Sequence, residues 1–386
     1  MEKICDENFC TGCCACYNIC PTIAISMQED EFGFMHPQID NNICINCGVC
    51  VKVCPINHQP QLNKPIITYA AISKDENTRK ASTSGGIATE ISQYFISTNG
   101  YVFSSSFDDN MDLRHVEASN LKDLKKFQGS KYVQSFVGTT FKEIKDKLKT
   151  DKVLFIGTPC QVAGLINYIP KRLKDNLTTV SFICGGIPSM RFLKQYLQGV
   201  LDKRTVSKID FRNGPEYGFW IKGENDTCHI PRNNPYFEGF DNHITLRSSC
   251  YNCHWTCKDR IGDITIGDFW GLKPKDFKAD SSNGISIIIC TTEKGIDLNN
   301  SLGDRIYKEP HDIEETLDAN PRLLSSVTFN KEAKKFRQKY AETHDFELSI
   351  FYAMRNIHRI RALKAIFKKS KVIRKLYTCL TGKQVH

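Results

Sequence analysis

At 386 residues, with 40% hydrophobic and 25% charged side chains, the chain is too long for one ordinary core and has the composition of a globular protein of two or three domains. Its net charge of +9 is unevenly placed. From Lys331 onward 15 Lys and Arg face 4 Asp and Glu, leaving 37 against 39 over residues 1–330, so the body is near neutral and a nucleic-acid partner is not expected. The opening Met1-Glu2-Lys3-Ile4-Cys5-Asp6 has no basic stretch leading into an apolar run. No apolar stretch approaches the roughly 18 residues of a spanning helix. With 18 cysteines, a reducing, cytoplasmic setting is expected.

The first motif is Cys10-Thr-Gly-Cys13-Cys-Ala-Cys16-Tyr-Asn-Ile-Cys20-Pro21, echoed by Cys44-Ile-Asn-Cys47-Gly-Val-Cys50-Val-Lys-Val-Cys54-Pro55. C-x2-C-x2-C-x3-C-P, twice, is the bacterial ferredoxin spacing: three thiolates grip three corners of a 4Fe-4S cube, and the fourth cysteine ligates the other cluster. Cys10, Cys13, Cys16 and Cys54 are therefore assigned to one cluster, and Cys44, Cys47, Cys50 and Cys20 to a second. Zinc places its C-x2-C pairs farther apart, and disulfides need an oxidising compartment. The stretch between the loops reads as a hairpin, Ala24–Met27 then Phe32–Met35. A unit so poor in apolar residues needs its clusters as staples. A ferredoxin-like 2x(4Fe-4S) domain is expected over 1–62, closed by the polar, proline-punctuated run from Ile56 to Pro65.

A second unit, 63–320, divides into about 63–150 and 151–320. Ile66–Ile72 reads as a buried strand, Ile87, Ile91, Tyr94 and Phe95 as the apolar face of a helix, and Tyr101–Phe103 as a strand. Val153–Ile156 is a strand that breaks at Gly157-Thr158-Pro159-Cys160 before a helix from about Gln161. Thr179–Cys184 repeats the pattern, with a helix reaching about Leu201. This alternation predicts parallel βα units, which bind ligands at the carboxyl ends of their strands, where Cys160 and Cys184 fall. Residues 205–310 read as strand and loop, closing with Ile285–Ile289 and an edge strand at Arg305–Tyr307. The tail, 331–386, reads as helical and basic. Ile350, Met354, Ile357, Ile360 and Leu363 recur at helical spacing among Arg355, Arg359, Arg361 and Lys364, a stripe suited either to the protein's own core or to a membrane surface or partner.

Cys250-Tyr-Asn-Cys253-His-Trp-Thr-Cys257 is a further thiol run. Zinc, a third cluster and a redox disulfide all use such spacing. Cys160 and Cys184 bring Cys250 and Cys253 to four thiolates. No G-x-G-x-x-G occurs, so a nicotinamide-binding unit is unsupported. Ser84-Gly85-Gly86 before a helix offers backbone N–H groups to a phosphate. Lys131 places a cation where a reduced flavin or pyrophosphate would gain from it. Asp263 and Asp268 flank a strand, with Trp270 as a pocket wall.

The motifs Ser82-Thr-Ser84-Gly85-Gly86-Ile87, Gly129-Ser-Lys131-Tyr132-Val-Gln134, Gly157-Thr-Pro-Cys160-Gln161, Cys184-Gly-Gly-Ile-Pro188-Ser, Ser249-Cys250-Tyr-Asn-Cys253 and Gly262-Asp263 to Trp270-Gly271 occur in this order. Together, over residues 1 to 320, the chain resembles the coenzyme F(420) hydrogenase/dehydrogenase beta-subunit family. The resemblance implies an α+β protein: a ferredoxin-like module, an α/β flavin-binding domain with a partly parallel sheet, and the helical basic tail. It implies Cys160, Cys184, Cys250 and Cys253 as ligands of an inner 4Fe-4S cluster, with Cys257 departing from the pattern and Cys257 or His254 as alternative fourth ligands. It implies flavin contacts, to FAD or FMN, at Ser84, Gly85, Gly86, Lys131, Tyr132, Gln134, Thr158, Gln161 and Asp268. No catalytic residue is assigned. Clusters carry one electron and flavins one or two, so the expected function is an oxidoreductase converting single electrons into hydride for an organic acceptor, coenzyme F(420) among them. Its partners are a low-potential donor, such as a ferredoxin or an oxidoreductase subunit, and a small-molecule acceptor. The resemblance also extends to proteins of surface-polysaccharide biosynthesis, where the tail would contact the inner face of the membrane. The alternative is a non-enzymatic subunit that hands electrons to a partner protein.

Overall fold

The computed structural model describes residues 3–201, 206–223 and 226–369, with side chains to residue 362. Leu363, Lys364 and the rest of the expected tail beyond them lie outside the described side chains. The strands are β1 Ile25–Glu29, β2 Met35–Ile39, β3 Ile67–Ser73, β4 Tyr101–Phe107, β5 Leu113–Ala118, β6 Val153–Gly157, β7 Leu177–Phe182, β8 Lys208–Asn213, β9 Glu216–Lys222, β10 Thr227–Pro231, β11 Ile264–Asp268, β12 Ser286–Cys290 and β13 Ile306–His311.

Eight of them form one mixed sheet in the order β13-β3-β12-β11-β7-β6-β4-β5. β4, β6, β7 and β11 run parallel, and the remaining neighbours pair antiparallel. Continuous apolar runs make these central strands because both faces are covered. Leu154 and Ile156 of β6 point into a layer with Ile87, Ile91 and Phe95 of the helix Ile87–Ser97. Val153 and Phe155 point the other way, into a core shared with Phe141, Val162, Cys13, Cys14 and Ala15. The N-terminal thiol loops thus form part of the cover over one sheet face. Asn18 Nδ2 donates to the Gly138 carbonyl at 2.7 Å, Asn167 Nδ2 to that of His58 at 2.7 Å, and Asn63 pairs backbone to backbone with Arg260. The stretch from Ile56 to Pro65 is accordingly bound to the body rather than a free linker.

Three sequence expectations are corrected. The hairpin's second strand is β2 rather than Phe32–Met35, because Asp30 Oδ1 accepts from the backbone N–H of Phe32 and Phe34 at 2.9 and 2.8 Å and makes that stretch the turn. The helix after β6 starts at Pro159, since Gln161 Oε1 caps the Thr158 N–H at 3.0 Å and proline suits a first turn. Residues 205–310 hold two helices, Pro235–Asp241 and Glu293–Ser301, started by Asn234 and Thr292, whose side chains accept from Phe237 N and Gly295 N.

The helices Lys331–Thr343 and Phe346–Lys369 pack an aromatic layer. Phe336, Tyr340, Phe346, Ile350 and Met354 are buried with Phe192, Tyr196, Phe219 and Tyr236. The apolar stripe of the tail is therefore occupied by the protein's own core as far as Met354, while Ile360 is 52% exposed. His358 and Arg361 both meet Glu238, at 2.8 and 2.7 Å. Among the described residues no helix is long and apolar enough to cross a membrane. Phe336→Ala should cost about 3–5 kcal/mol and Ile360→Ala less than about 0.5 kcal/mol, measured as shifts in the midpoint of chemical denaturation.

Candidate metal centres and cofactor cavity

The cysteines gather into three rings. Cys10, Cys13, Cys16 and Cys54 border one small cavity, and Cys20, Cys44, Cys47 and Cys50 border a second. Each fourth cysteine lies across from the loop that precedes it in sequence, because the short helices Ala15–Ile19 and Val49–Val53 turn Cys20 and Cys54 away from their own loops. Cys160, Cys184, Cys250 and Cys253 border a third cavity. Among the described residues no three Cys, His, Asp or Glu side chains converge as ligands of one single ion. In the first ring, burial pushes the Cys13 thiol up to about 12. In the third it pushes Cys160 up to about 12 and Cys184 to about 11. Such thiols become thiolates when a bound metal compensates the charge.

The third ring is set by strand ends. Cys160 follows β6, and Cys184 follows β7. Cys250 and Cys253 come from the turn Ser248–Asn252. Cys257 does not border this cavity: its Sγ lies 3.1 Å from the Asp259 carbonyl, and His254 is likewise outside the wall. Around the thiols stand Arg247, Arg260, Arg322 and Trp255. Arg260, buried, donates to the carbonyls of Trp255 and Cys257 at 2.8 and 2.9 Å, and burial holds its guanidinium below the usual range.

Arg247 connects the first ring to the third. Its Nε donates to the Cys10 carbonyl at 2.7 Å, one terminal nitrogen to Gln134 Oε1 at 3.1 Å, and the other to the Met35 carbonyl at 2.9 Å, with His36 at 3.2 Å. Thr11 belongs to the walls of both cavities. Gly164, one turn along the helix that presents Cys160, is needed for its size: a Cβ there would lie 2.8 Å from Cys13 Sγ.

Beyond the third ring a cavity of about 280 Å³ opens at the carboxyl ends of the parallel strands. Its wall includes Cys184, Gly185, Gly186 and Thr158, which also border the third ring. Ser84, Gly86, Lys131, Tyr132, Thr158, Gln161 and Asp268 line it. Gly85 and Gln134 do not. Gly85 is pressed against β3 and β12, where a Cβ would meet the Ala71 carbonyl at 2.3 Å. Gln134 turns toward the first ring, donating to the Thr11 carbonyl at 3.1 Å. Lys131 is buried, which pulls its ammonium down to about 7, and Nζ donates to the carbonyls of Phe127 and Gln128 at 2.8 and 3.1 Å. Asp268 pairs with buried Arg212 at 2.7 Å. Asp263 is a staple instead, accepting from Thr179 and Thr292, and Trp270 is half exposed, away from the cavity.

Residues 150–316 match the family model for the C terminus of the coenzyme F420 hydrogenase/dehydrogenase beta subunit, and residues 9–58 match that of the 4Fe-4S dicluster domain. The chain belongs to this beta-subunit family and carries an N-terminal dicluster domain. It is an iron-sulfur electron-transfer protein related to the F420 hydrogenase beta subunit. The structure is also similar to a chain of the F420-reducing [NiFe] hydrogenase complex from Methanosarcina barkeri, solved as a xenon derivative, at 20% identity and a TM-score of 0.48, covering 78% of this chain and 94% of that one. No curated protein matches.

Sequence reasoning missed several wall residues of this family member. Cys5 and Cys14 join the first cavity, and Cys5 lies within hydrogen-bonding reach of Cys10 and Cys54. The doublet Cys13-Cys14 was a visible signal; nothing in the spacing marks Cys5. His115 borders the large cavity, Nδ1 against Ser135 Oγ at 3.1 Å and Nε2 against the Ile156 carbonyl at 3.2 Å. Burial pulls it down to about 4, so it is neutral at pH 7. Arg247, Arg260, Arg322 and Trp255 have no motif of their own. Arg247→Met should remove the charged tie between dicluster loops and body, and limited proteolysis followed by mass spectrometry should show faster cutting within residues 56–65 than in the wild type.

Proposed function

We propose that the protein is an iron-sulfur flavoprotein oxidoreductase in which ferredoxin-type clusters, a third cluster and a flavin lie in series. One observation carries the reading: the cavities share walls. Thr11 belongs to those of the first and third rings, while Cys184, Thr158 and Gly185 belong to those of the third ring and the large cavity. A continuous set of neighbouring seats suits electron passage from the N-terminal module to the carboxyl ends of the sheet.

Cys10, Cys13, Cys16 and Cys54 would hold one 4Fe-4S cluster, and Cys20, Cys44, Cys47 and Cys50 the second. Of these thiols Cys47 is exposed, which suits entry of electrons from a low-potential protein donor. Cys160, Cys184, Cys250 and Cys253 would hold the third. The wall there fits an anionic group: Arg322 and Trp255 each carry a buried N–H without a partner among the described residues, and a sulfide-bearing cluster supplies acceptors. Clusters supply single electrons, and FAD or FMN converts them into the hydride that an organic acceptor requires.

In the large cavity the helix Ile87–Ser97 begins at Gly86 in the left-handed region, φ +85°, with no side-chain cap. Its first turn lines the space, so a flavin phosphate there would gain backbone N–H groups and the positive end of the helix dipole. Lys131 closes the carbonyl end of the turn Asp123–Phe127 and adds positive charge when protonated. Neutral His115 keeps Nε2–H on Ile156 and takes the Ser135 hydroxyl on Nδ1, leaving the cavity floor polar and uncharged. The cavity lies near the lower end of the roughly 300–1,000 Å³ usual for ligand sites. The acceptor class is a small two-electron carrier, of which coenzyme F420 is the one the family name suggests.

Anaerobically purified protein should contain about 12 iron and 12 sulfide per chain and release one flavin. Cys253→Ser should lower the iron to about 8 while retaining flavin, and Cys50→Ser and Cys253→Ser should both abolish turnover with a one-electron donor. Normal turnover in either variant would refute the relay. Full iron without flavin would favour the non-enzymatic carrier.

A further inference from the structure

Two donors in the wall of the inner thiol ring are shut away from water with nothing to bond. Arg322 carries one on a terminal guanidinium nitrogen, and Trp255 carries the other on its indole nitrogen. A buried N–H is costly to leave unpaired, so a wall built with two of them calls for an acceptor inside the ring. The thiols themselves supply few: Cys253 is already approached by its neighbour Thr256 and by local backbone N–H groups.

Thr158 provides a third donor, and hydrogen-bond counting shows where its proton goes. Its Oγ1 lies 3.0 Å from Gln161 Oε1 and 3.1 Å from Cys160 Sγ. Gln161 is held in one orientation, because Nε2 donates to the carbonyl and hydroxyl oxygens of Ser135 at 3.2 and 3.0 Å. Its Oε1 already accepts the backbone N–H of Thr158 at 3.0 Å. Once Cys160 is a thiolate it donates nothing and needs a donor, and the hydroxyl can turn to sulfur without stranding Gln161.

We infer that Trp255, Arg322 and Thr158 are positioning residues that raise the reduction potential of the centre held by Cys160, Cys184, Cys250 and Cys253. The inference rests on that ring being a cluster seat. Reduction adds one electron from the low-potential protein donor, hence one negative charge, with no bond broken and no group transferred. Donors aimed at sulfur stabilise the more negative form, and hydrogen bonding to the sulfurs is among the factors that set such potentials. Arg322 contributes charge as well as an N–H. Trp255 contributes only its N–H, which makes it the cleaner probe.

The test is the midpoint potential of the inner centre, followed by EPR on the anaerobic full-length protein, with iron counted for each variant. Trp255→Phe keeps the ring and removes the donor, Thr158→Val keeps the shape and removes the hydroxyl, and Thr158→Ser restores it. With iron at the wild-type level, the first two should shift the midpoint downward and Thr158→Ser should leave it at the wild-type value. An unmoved midpoint in both Trp255→Phe and Thr158→Val, with iron retained, overturns the inference and leaves the cluster reading standing. A wild-type protein holding about 8 iron per chain and no third EPR signal overturns both.

Discussion

The buried guanidinium of Arg247 is the constraint on which the arrangement turns. It stands in the wall of the inner thiol ring and donates to the Cys10 and Met35 carbonyls and to Gln134. A charge this deep needs several well-aimed acceptors to be tolerated. Those acceptors come from the first thiol loop, from β2 and from the loop before β6. Satisfying one side chain therefore fixes the dicluster loops against the sheet, with Thr11 in the walls of two cavities at once.

The sheet does the complementary work. Four parallel strands end on one side, and each ending is a turn that presents chemistry rather than packing: Thr158-Pro159-Cys160 after β6, Ile183-Cys184 after β7, Asp268 at the end of β11. Parallel sheets place their ligand crevices there. Here the edge of the crevice is also the edge of a thiol ring, and Gly164 and Gly186 keep the contacts short. A Cβ at Gly186, which has φ +102°, would meet Leu246 at 2.6 Å. Function and packing thus compete for the same few loops.

The N-terminal motif was legible because all eight of its thiols lie on two short, repeated loops, and cluster ligation by such loops is a local property of sequence. The parallel units were legible too, since Val153–Ile156 and Thr179–Cys184 are unbroken apolar runs ending in Gly and Pro. Other features are contributed by segments far apart in the chain. Gln134 and Gly85 sit within motifs of the large cavity yet face elsewhere, because one bonds Thr11 and the other is wedged against Ala71. Arg247, Trp255 and Arg322 carry no spacing that betrays them. The helices Pro235–Asp241 and Glu293–Ser301 were readable in principle from Asn234-Pro235 and Thr292, but each is short and surrounded by strands, so its capping signal was outweighed by its neighbourhood.

Crystals grown without oxygen from iron-replete protein, measured above and below the iron and zinc absorption edges, test the series of centres most directly. The account predicts three compact iron peaks, one inside each ring: Cys10, Cys13, Cys16 and Cys54; Cys20, Cys44, Cys47 and Cys50; Cys160, Cys184, Cys250 and Cys253. Zinc in the inner ring, or thiols bridged there as disulfides with iron confined to the two N-terminal rings, would contradict it.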